Sequence, residues 1–244
     1  MKHVLITGAN KSIGLETARQ LAGQGYFVYL GCRDLAKGQQ AVAHLAEAGL
    51  PHVEAIQLDV CDQASIQAAK QTIQEKTPVL DVLINNAGIL GQTPQNALTT
   101  GTTQLREVFD TNFFGPIDVT QAFLDLLEQA QVPVIVNITS GLASLTLQSD
   151  PTWVHAAYKL AAYGPSKTAL NAYTVFLAHE LQAKGFKVNA VDPGQTATDF
   201  TGHQGGAVTD AARFVAQYAA LGADGPTGKY FSRDAPVGET ESPW

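Results

Sequence analysis

The feature that most limits how this chain can fold is a repeated alternation, in which a short β-branched apolar run is followed by a longer amphipathic stretch. Runs at His3 to Thr7, Phe27 to Gly31, Val53 to Leu58, Leu80 to Ile84, Val134 to Ile138 and Lys187 to Val191, with a short last one at Lys229 to Phe231, read as strands. Most are almost wholly apolar, which a strand requires when helices cover both faces of its sheet. Helical periods fill the intervals. Right-handed crossovers then give an α/β protein with a doubly wound parallel sheet in three layers, α/β/α. No repeat, charge run or linker divides the 244 residues, so residues 1–244 are expected to form one domain. The last twenty residues, rich in Gly and Pro, read as a tail packed on the surface.

Several function classes drop out on charge and composition. A net charge of −7 is a poor footprint for nucleic acid or for anionic lipid. No apolar run reaches the length of a membrane helix. The two cysteines, Cys32 and Cys61, have neither metal-site nor disulfide-framework spacing, and a reducing, cytoplasmic setting fits them. The six histidines are scattered, and no metal site is expected. Ser140 lies in Thr139-Ser140-Gly141 and not in a GxSxG elbow, which argues against a serine hydrolase.

Directly after the first strand stands Thr7-Gly8-Ala9-Asn10-Lys11-Ser12-Ile13-Gly14, which leads into a helix with Leu15, Ala18, Leu21 and Ala22 on one side. In a strand–glycine turn–helix unit of this kind the first glycine permits the tight turn and the last lets helix pack closely on strand. The helix N-terminus then offers free N–H groups and a positive dipole to a pyrophosphate. The unit reads as the dinucleotide loop of a Rossmann fold, the alternative being an ordinary βα turn that needs glycine for its backbone angles. The end of the second strand reads Gly31-Cys32-Arg33-Asp34. Asp34 sits where an acid would bind the ribose hydroxyls, but it also suits the cap of the next helix. Arg33, with Lys11 in the facing loop, suits a 2′-phosphate, so NADP is favoured over NAD.

After Thr103 a helical period places Leu105, Val108, Phe109, Phe113, Ile117, Thr120 and Leu124 on one face, with Asn112 on the same stripe. Pro116 has no N–H, so the main-chain carbonyl of Asn112 loses its helical partner and is free to hold a water. Further on, Tyr163-Gly164-Pro165-Ser166-Lys167 opens another amphipathic helix. Pro165 belongs in a first turn, and Tyr163 and Lys167 share a face at i and i+4. An adjacent ammonium and a cationic nicotinamide are expected to pull the phenol of Tyr163 toward working pH as an acid–base group.

Taken together, these residues resemble the short-chain dehydrogenase/reductase family over nearly the whole chain. Thr7 to Gly14 is similar to its TGxxxGxG loop, Asp59-Val60 to its adenine contact, and Asn85-Asn86-Ala87-Gly88 to its NNAG motif. Asn112, Ser140, Tyr163 and Lys167 match its catalytic tetrad, and Pro193-Gly194 with Thr196 and Thr198 match the segment beside the nicotinamide. Within the family, TGANKxIGLETARQLA, the strand end CRDLAKGQ and the ending GKYFSRD look most like the NADP-dependent carbonyl reductases.

The resemblance implies a cofactor site built from Gly8, Asn10, Lys11, Ser12, Ile13, Gly14, Arg33, Asp59, Val60, Asn86, Ala87, Gly88, Pro193, Gly194, Thr196 and Thr198 together with Tyr163 and Lys167. It implies that Ser140 bonds a substrate carbonyl, Tyr163 donates the proton, Lys167 holds the nicotinamide ribose and tunes Tyr163, and Asn112 holds a relay water. The reaction would be NADPH-dependent reduction of a small-molecule ketone or aldehyde. Rival readings are a dehydrogenase working mainly in oxidation and a non-catalytic NADP-binding protein. The family usually associates through the helices after Thr103 and Tyr163, which implies a dimer or tetramer, with a monomer the alternative.

Two departures stand out. Ser12 replaces the family's middle glycine. The 23 positions from Ser140 to Tyr163 exceed the usual spacing, so an insert with Trp153, His155 and Tyr158 is expected to line or cover the substrate pocket, and Ser144 and Ser149 are alternatives to Ser140. The segment after Thr198 is short, which implies a reduced lid and an open pocket.

Overall fold

A computed structural model of the chain describes residues 1–235 and 240–244. Seven strands form one parallel sheet: β1 (His3–Thr7), β2 (Phe27–Cys32), β3 (Val53–Gln57), β4 (Val82–Asn85), β5 (Val134–Ile138), β6 (Lys187–Asp192) and β7 (Tyr230–Ser232). Their spatial order is β3-β2-β1-β4-β5-β6-β7, with register such as Ile6 against both Leu30 and Ile84. The strands fall where the apolar runs predict them, within two residues at each end. The chain order reverses between β1 and β4, and the crevice beyond their carboxyl ends is where such sheets bind ligands.

Alternation along the strands sorts two apolar cores. Val4, Ile6, Val28 and Leu30 face α1 (Ser12–Gly23), α2 (Leu35–Glu47) and α8 (Val208–Ala219), while Leu5, Tyr29 and Ile56 face α3 (Gln63–Gln74), α5 (Gly115–Leu127) and α7 (Tyr163–Leu181). Asp34 is the N-cap of α2, accepting from the Lys37 N–H at 3.2 Å.

The strands are less uniformly apolar than the sequence pattern implies. Asn85, Asn137 and Asn189 are buried within them. Asn85 donates to Thr120 Oγ1 (3.1 Å) and to Asn137 Oδ1 (2.9 Å), and Asn137 donates to Thr174 Oγ1 (2.9 Å). This neutral ladder links β4, β5, α5 and α7 beneath the site.

The helix after Thr103 departs from the expected single stripe. It runs as α4 (Thr102–Phe109), then a π-turn over Asp110–Phe114 that closes an i→i+5 bond from the Gly115 N–H to the Asp110 carbonyl, then α5. The wide turn, one residue before Pro116, rotates the faces. Val108 is buried before it, Asn112 within it, and Val119, Thr120, Phe123, Leu126 and Leu127 after it, while Phe113, Ile117 and Leu124 are only partly buried.

The end of the chain is more than a surface tail. Thr240 to Trp244 returns along β7, with Thr240 accepting from the Ser232 N–H, Ser242 donating to the Tyr230 carbonyl, and Trp244 lying on the Tyr230 ring at 5.6 Å. The rest of that tail, residues 236–239, lies outside the described residues.

Candidate active site

The glycine loop owes its shape to two close approaches. Gly8 has φ +64, and a Cβ there would stand 2.9 Å from the Ala87 Cα. A Cβ on Gly14 would meet Asn86 Nδ2 at 2.6 Å and Ala9 Cα at 2.9 Å. Asn86 in turn donates to the carbonyls of Thr7 (2.8 Å) and Gly8 (3.2 Å), and the Thr7 hydroxyl accepts from the N–H groups of Asn86 and Ala87. The NNAG segment therefore clamps the loop from behind. The clamp role of Thr7 has a sequence signal only in its place before the first glycine. Ser12, where the family has glycine, takes φ +52 at the first position of α1. Together with the first N–H groups of α1, this backbone cradle suits a pyrophosphate.

One cleft of ≈ 1060 Å³ runs from this loop along the carboxyl ends of the strands. It is bordered by Gly8, Asn10 to Gly14, Arg33, Asp59, Val60 and Asn86 to Gly88 at one end. Toward the other end lie Ser140, Tyr163, Lys167, Pro193, Gly194, Thr196 and Thr198. Arg33 is exposed at the rim and forms no ion pair among the described residues. Lys11 reaches Asp199 at 2.5 Å instead of sharing a site with Arg33 alone.

Asn112 is not at the cleft surface. It is fully buried, and its carboxamide is used up in accepting from the Ile89 N–H (2.8 Å) and in donating to the Ile89 carbonyl (2.9 Å) and Ser166 Oγ (3.0 Å). Whatever Asn112 offers to chemistry must come from its main chain.

Tyr163 begins α7 and Lys167 lies one turn on, both buried. The Lys167 ammonium donates to the Ile138 carbonyl at the end of β5 (2.8 Å), and burial holds its pKa down to about 8. Burial pushes the Tyr163 phenol up, opposed by hydrogen bonding with the Ser140 side chain and reinforced by the charge of Asp192. Lys167 is not among the groups that displace the phenol here, and its ammonium is bonded to the Ile138 carbonyl.

Ser140, rather than Ser144 or Ser149, shares the cleft with Tyr163. Ser144 instead caps α6 (Leu145–Ser149), accepting from the Leu147 N–H at 3.1 Å. The insert does line the cleft through Trp153, Val154, His155 and Tyr158. The lid is short but not open over the phenol, since the Phe200 ring lies edge-on to Tyr163 at 5.6 Å.

Sequence reasoning missed two groups here. Asp192, at the end of β6, and Tyr230, whose hydroxyl donates to the Ser140 carbonyl at 3.0 Å, both support the site from behind. Their only signal was position, Asp192 at the carboxyl end of β6 and Tyr230 at the start of β7. Among the described residues no group of His, Cys, Asp or Glu is placed to hold a metal, and no helix is long and apolar enough to cross a membrane.

A family model described as short chain dehydrogenase matches residues 2–207. The chain is 37% identical to the short-chain dehydrogenase anuI of Penicillium roqueforti over 83% of this chain and 81% of that one. It is 30% identical to a (+)-neomenthol dehydrogenase of Capsicum annuum over 95% and 96% of the two chains. Its fold superposes on an NADPH-bound carbonyl reductase from chicken fatty liver with TM-score 0.85 and 27% identity, covering 100% of this chain and 99% of the other.

A parallel sheet of this order, with a glycine loop at its switch point and a buried Tyr–Lys pair over β5, defines a nucleotide-dependent oxidoreductase acting on carbonyl or alcohol groups. The chain belongs to the short-chain dehydrogenase/reductase family, whose members use a nicotinamide nucleotide with a small-molecule substrate.

Proposed function

We propose that the chain reduces an aldehyde or ketone to an alcohol with NADPH, Tyr163 donating the proton. The observation that carries this reading is the convergence of Ser140, Tyr163 and Lys167 on the cleft that also holds the glycine cradle. The cradle fits a dinucleotide: at Gly8 and Gly14 any side chain would fill the space the loop needs for close approach. The bound nicotinamide would supply the hydride. The protein's part is to orient and polarise. The Ser140 hydroxyl donates to the carbonyl oxygen, Tyr163 delivers the proton there, and Lys167 supplies positive charge beside the ribose position. A phenol pushed up by burial stays protonated at neutral pH, as the acid role in reduction requires. An exposed, unpaired Arg33 at the adenosine end supports NADP, and the name of the NADPH-bound carbonyl reductase is consistent with it.

Apolar groups crowd the mouth. Val154 and Tyr158 are exposed there, and Leu147, Trp153 and Phe200 border the cleft, so an apolar carbonyl compound is the substrate class that fits. The (+)-neomenthol dehydrogenase similarity points the same way. Exposed Phe114, Val175 and Phe176 on α5 and α7 or the turn between α4 and α5 support association into a dimer or tetramer through those helices.

The test is oxidation of NADPH and of NADH, followed at the nicotinamide absorbance, against a panel of aldehydes, ketones, diketones and quinones. Substrate-dependent oxidation favouring NADPH is expected, with Arg33→Ala losing NADPH affinity by about 1.5–3 kcal/mol and NADH affinity far less. An equal loss for both nucleotides removes the phosphate role, and no turnover on any compound despite tight NADPH binding removes the reductase reading.

A further inference from the structure

Gln95 lies in the loop between β4 and α4 and does not border the cleft, yet its side chain is buried, 3% exposed, and bonded at both ends. Its Oε1 accepts from the Ala162 N–H and from the Tyr163 N–H, each at 3.0 Å, and its Nε2 donates to the Leu90 carbonyl at 2.6 Å. These partners fix the orientation of the carboxamide, because two N–H groups require the oxygen and a carbonyl requires the nitrogen.

The start of α7 needs that oxygen. The first N–H groups of a helix have no partner within it, and a side chain just before the helix commonly supplies one. Ala162 stands in that place and has no side chain to offer, and Pro165 has no N–H to satisfy. The Gly164 N–H turns back to the Leu160 carbonyl at 2.9 Å. The N–H groups of Ala162 and Tyr163 remain, on two buried residues, and Gln95 takes both from 67 and 68 positions away.

A second amide runs beside it. Asn112 joins both main-chain polar groups of Ile89 to Ser166 Oγ, and that hydroxyl donates to the Tyr163 carbonyl at 2.7 Å. Ile89 and Leu90 follow directly on residues 86–88, where Asn86 clamps the glycine loop. The main chain of Tyr163 is therefore tied at its N–H through Gln95 and at its carbonyl through Ser166, both times to the segment that shapes the nucleotide end of the cleft.

We propose that Gln95 is a positioning residue, which caps α7 from the β4–α4 loop and so sets where the Tyr163 phenol stands relative to the nucleotide. This rests on the reading of Tyr163 as the proton donor and deepens it. A misplacement on the order of 1 Å at a reacting group costs about 100-fold in rate, even with every group that touches substrate present. Two buried N–H groups deprived of their acceptor either stay unpaired or draw the first turn toward another partner. The chemical step then suffers. Nucleotide affinity does not, because Gln95 bonds no residue of the glycine loop.

The experiment compares the parent, Gln95→Met, Tyr163→Phe and the double variant in single-turnover oxidation of NADPH by one carbonyl compound. NADPH binding is titrated on each, so that rates are expressed per binding site. Met matches the length of Gln and removes both polar ends. Gln95→Met is expected to slow the step at saturating substrate by about 30–100-fold, with half-saturating carbonyl concentration and NADPH affinity changed by no more than about twofold. In the Tyr163→Phe background the same substitution is expected to cost less than about threefold, because a residue that acts through the phenol has nothing left to position. A merely structural role would not produce that difference, since loss of folded protein is divided out by the titration and a general loosening slows both backgrounds alike.

A parental rate in Gln95→Met overturns the proposal, as does an equal loss in the two backgrounds. Parental turnover by Tyr163→Phe overturns the acid assignment instead, so the two failures are distinguishable. Should Gln95→Met not fold, Gln95→Asn, one methylene too short to span Leu90 and α7, takes its place with the same outcomes.

Discussion

Two sets of buried polar side chains lie side by side along β5 and α7, and they are built differently. The set below is neutral and joined by hydrogen bonds, with Asn85 Oδ1 and Asn171 Nδ2 left without a partner. Asn137 joins Asn85 to Thr174, and Thr139 donates to Asn171 at 2.6 Å. The set above, Tyr163, Lys167 and Asp192, is ionisable, and each member's pKa is displaced by burial in the direction that disfavours its charge. The lower set converts burial into a fixed spacing between sheet and helices. The upper set carries a desolvation cost, as is expected where groups are kept for chemistry.

The contrast can be broken from either side. Lys167→Met is expected to lower turnover at least about 100-fold. It should also stabilise the fold by about 1–2 kcal/mol near neutral pH, since a buried ammonium is replaced by an apolar chain of similar length. The sign follows from the depressed pKa of Lys167, about 8 in the fold. The penalty is present while the folded group is charged, and it is relieved as pH rises through 8 toward the unfolded value. Thermal melts should therefore show the gap between variant and parent narrowing above pH 8, and a gap independent of pH would mean that Lys167 is not a stored charge. In the parent, carbonyl reduction should decline above about pH 8 as the ammonium is lost, while Tyr163, displaced upward, stays protonated.

Asn137→Ala attacks the lower set. It removes one acceptor from Asn85 and one donor from Thr174 in the core, leaving them Thr120 and the Leu170 carbonyl, and is expected to cost about 2–3 kcal/mol by denaturant unfolding, with the pH profile of turnover unmoved. A displaced profile would mean that the ladder is part of the chemistry. The smallest effect is at the phosphate end. Ser12 holds a left-handed conformation that glycine adopts freely, so Ser12→Gly should raise stability by about 0.5–1 kcal/mol, and a lower melting temperature would show that the serine side chain compensates its backbone.

Legibility in the sequence follows the same division. The strands, the loop with Gly8 and Gly14, the cap at Asp34 and the helix start at Tyr163 could be read because each depends on local chain geometry or on a period. The π-turn could not, since a single wide turn leaves the apolar period locally ambiguous and only packing decides which face wins. Nor could the buried asparagines, whose partners lie on other strands and helices 35 to 52 positions away. Asp192 was passed over because its neighbours Gly141 and Ser232 meet only when β5, β6 and β7 are side by side. Pro116 did signal a disturbed helix at Asn112, but not that the Asn112 side chain would be spent on Ile89 and Ser166.

The most direct test of the account is a single-turnover measurement of NADPH oxidation by Tyr163→Phe beside the parent, with nucleotide binding and melting temperature measured on both. The variant is expected to bind NADPH as the parent does, to melt no lower, and to turn over at least about 1,000-fold more slowly. Hydride transfer at the parental rate would contradict the central claim, because the buried phenol would then belong with the structural ladder and not with the chemistry.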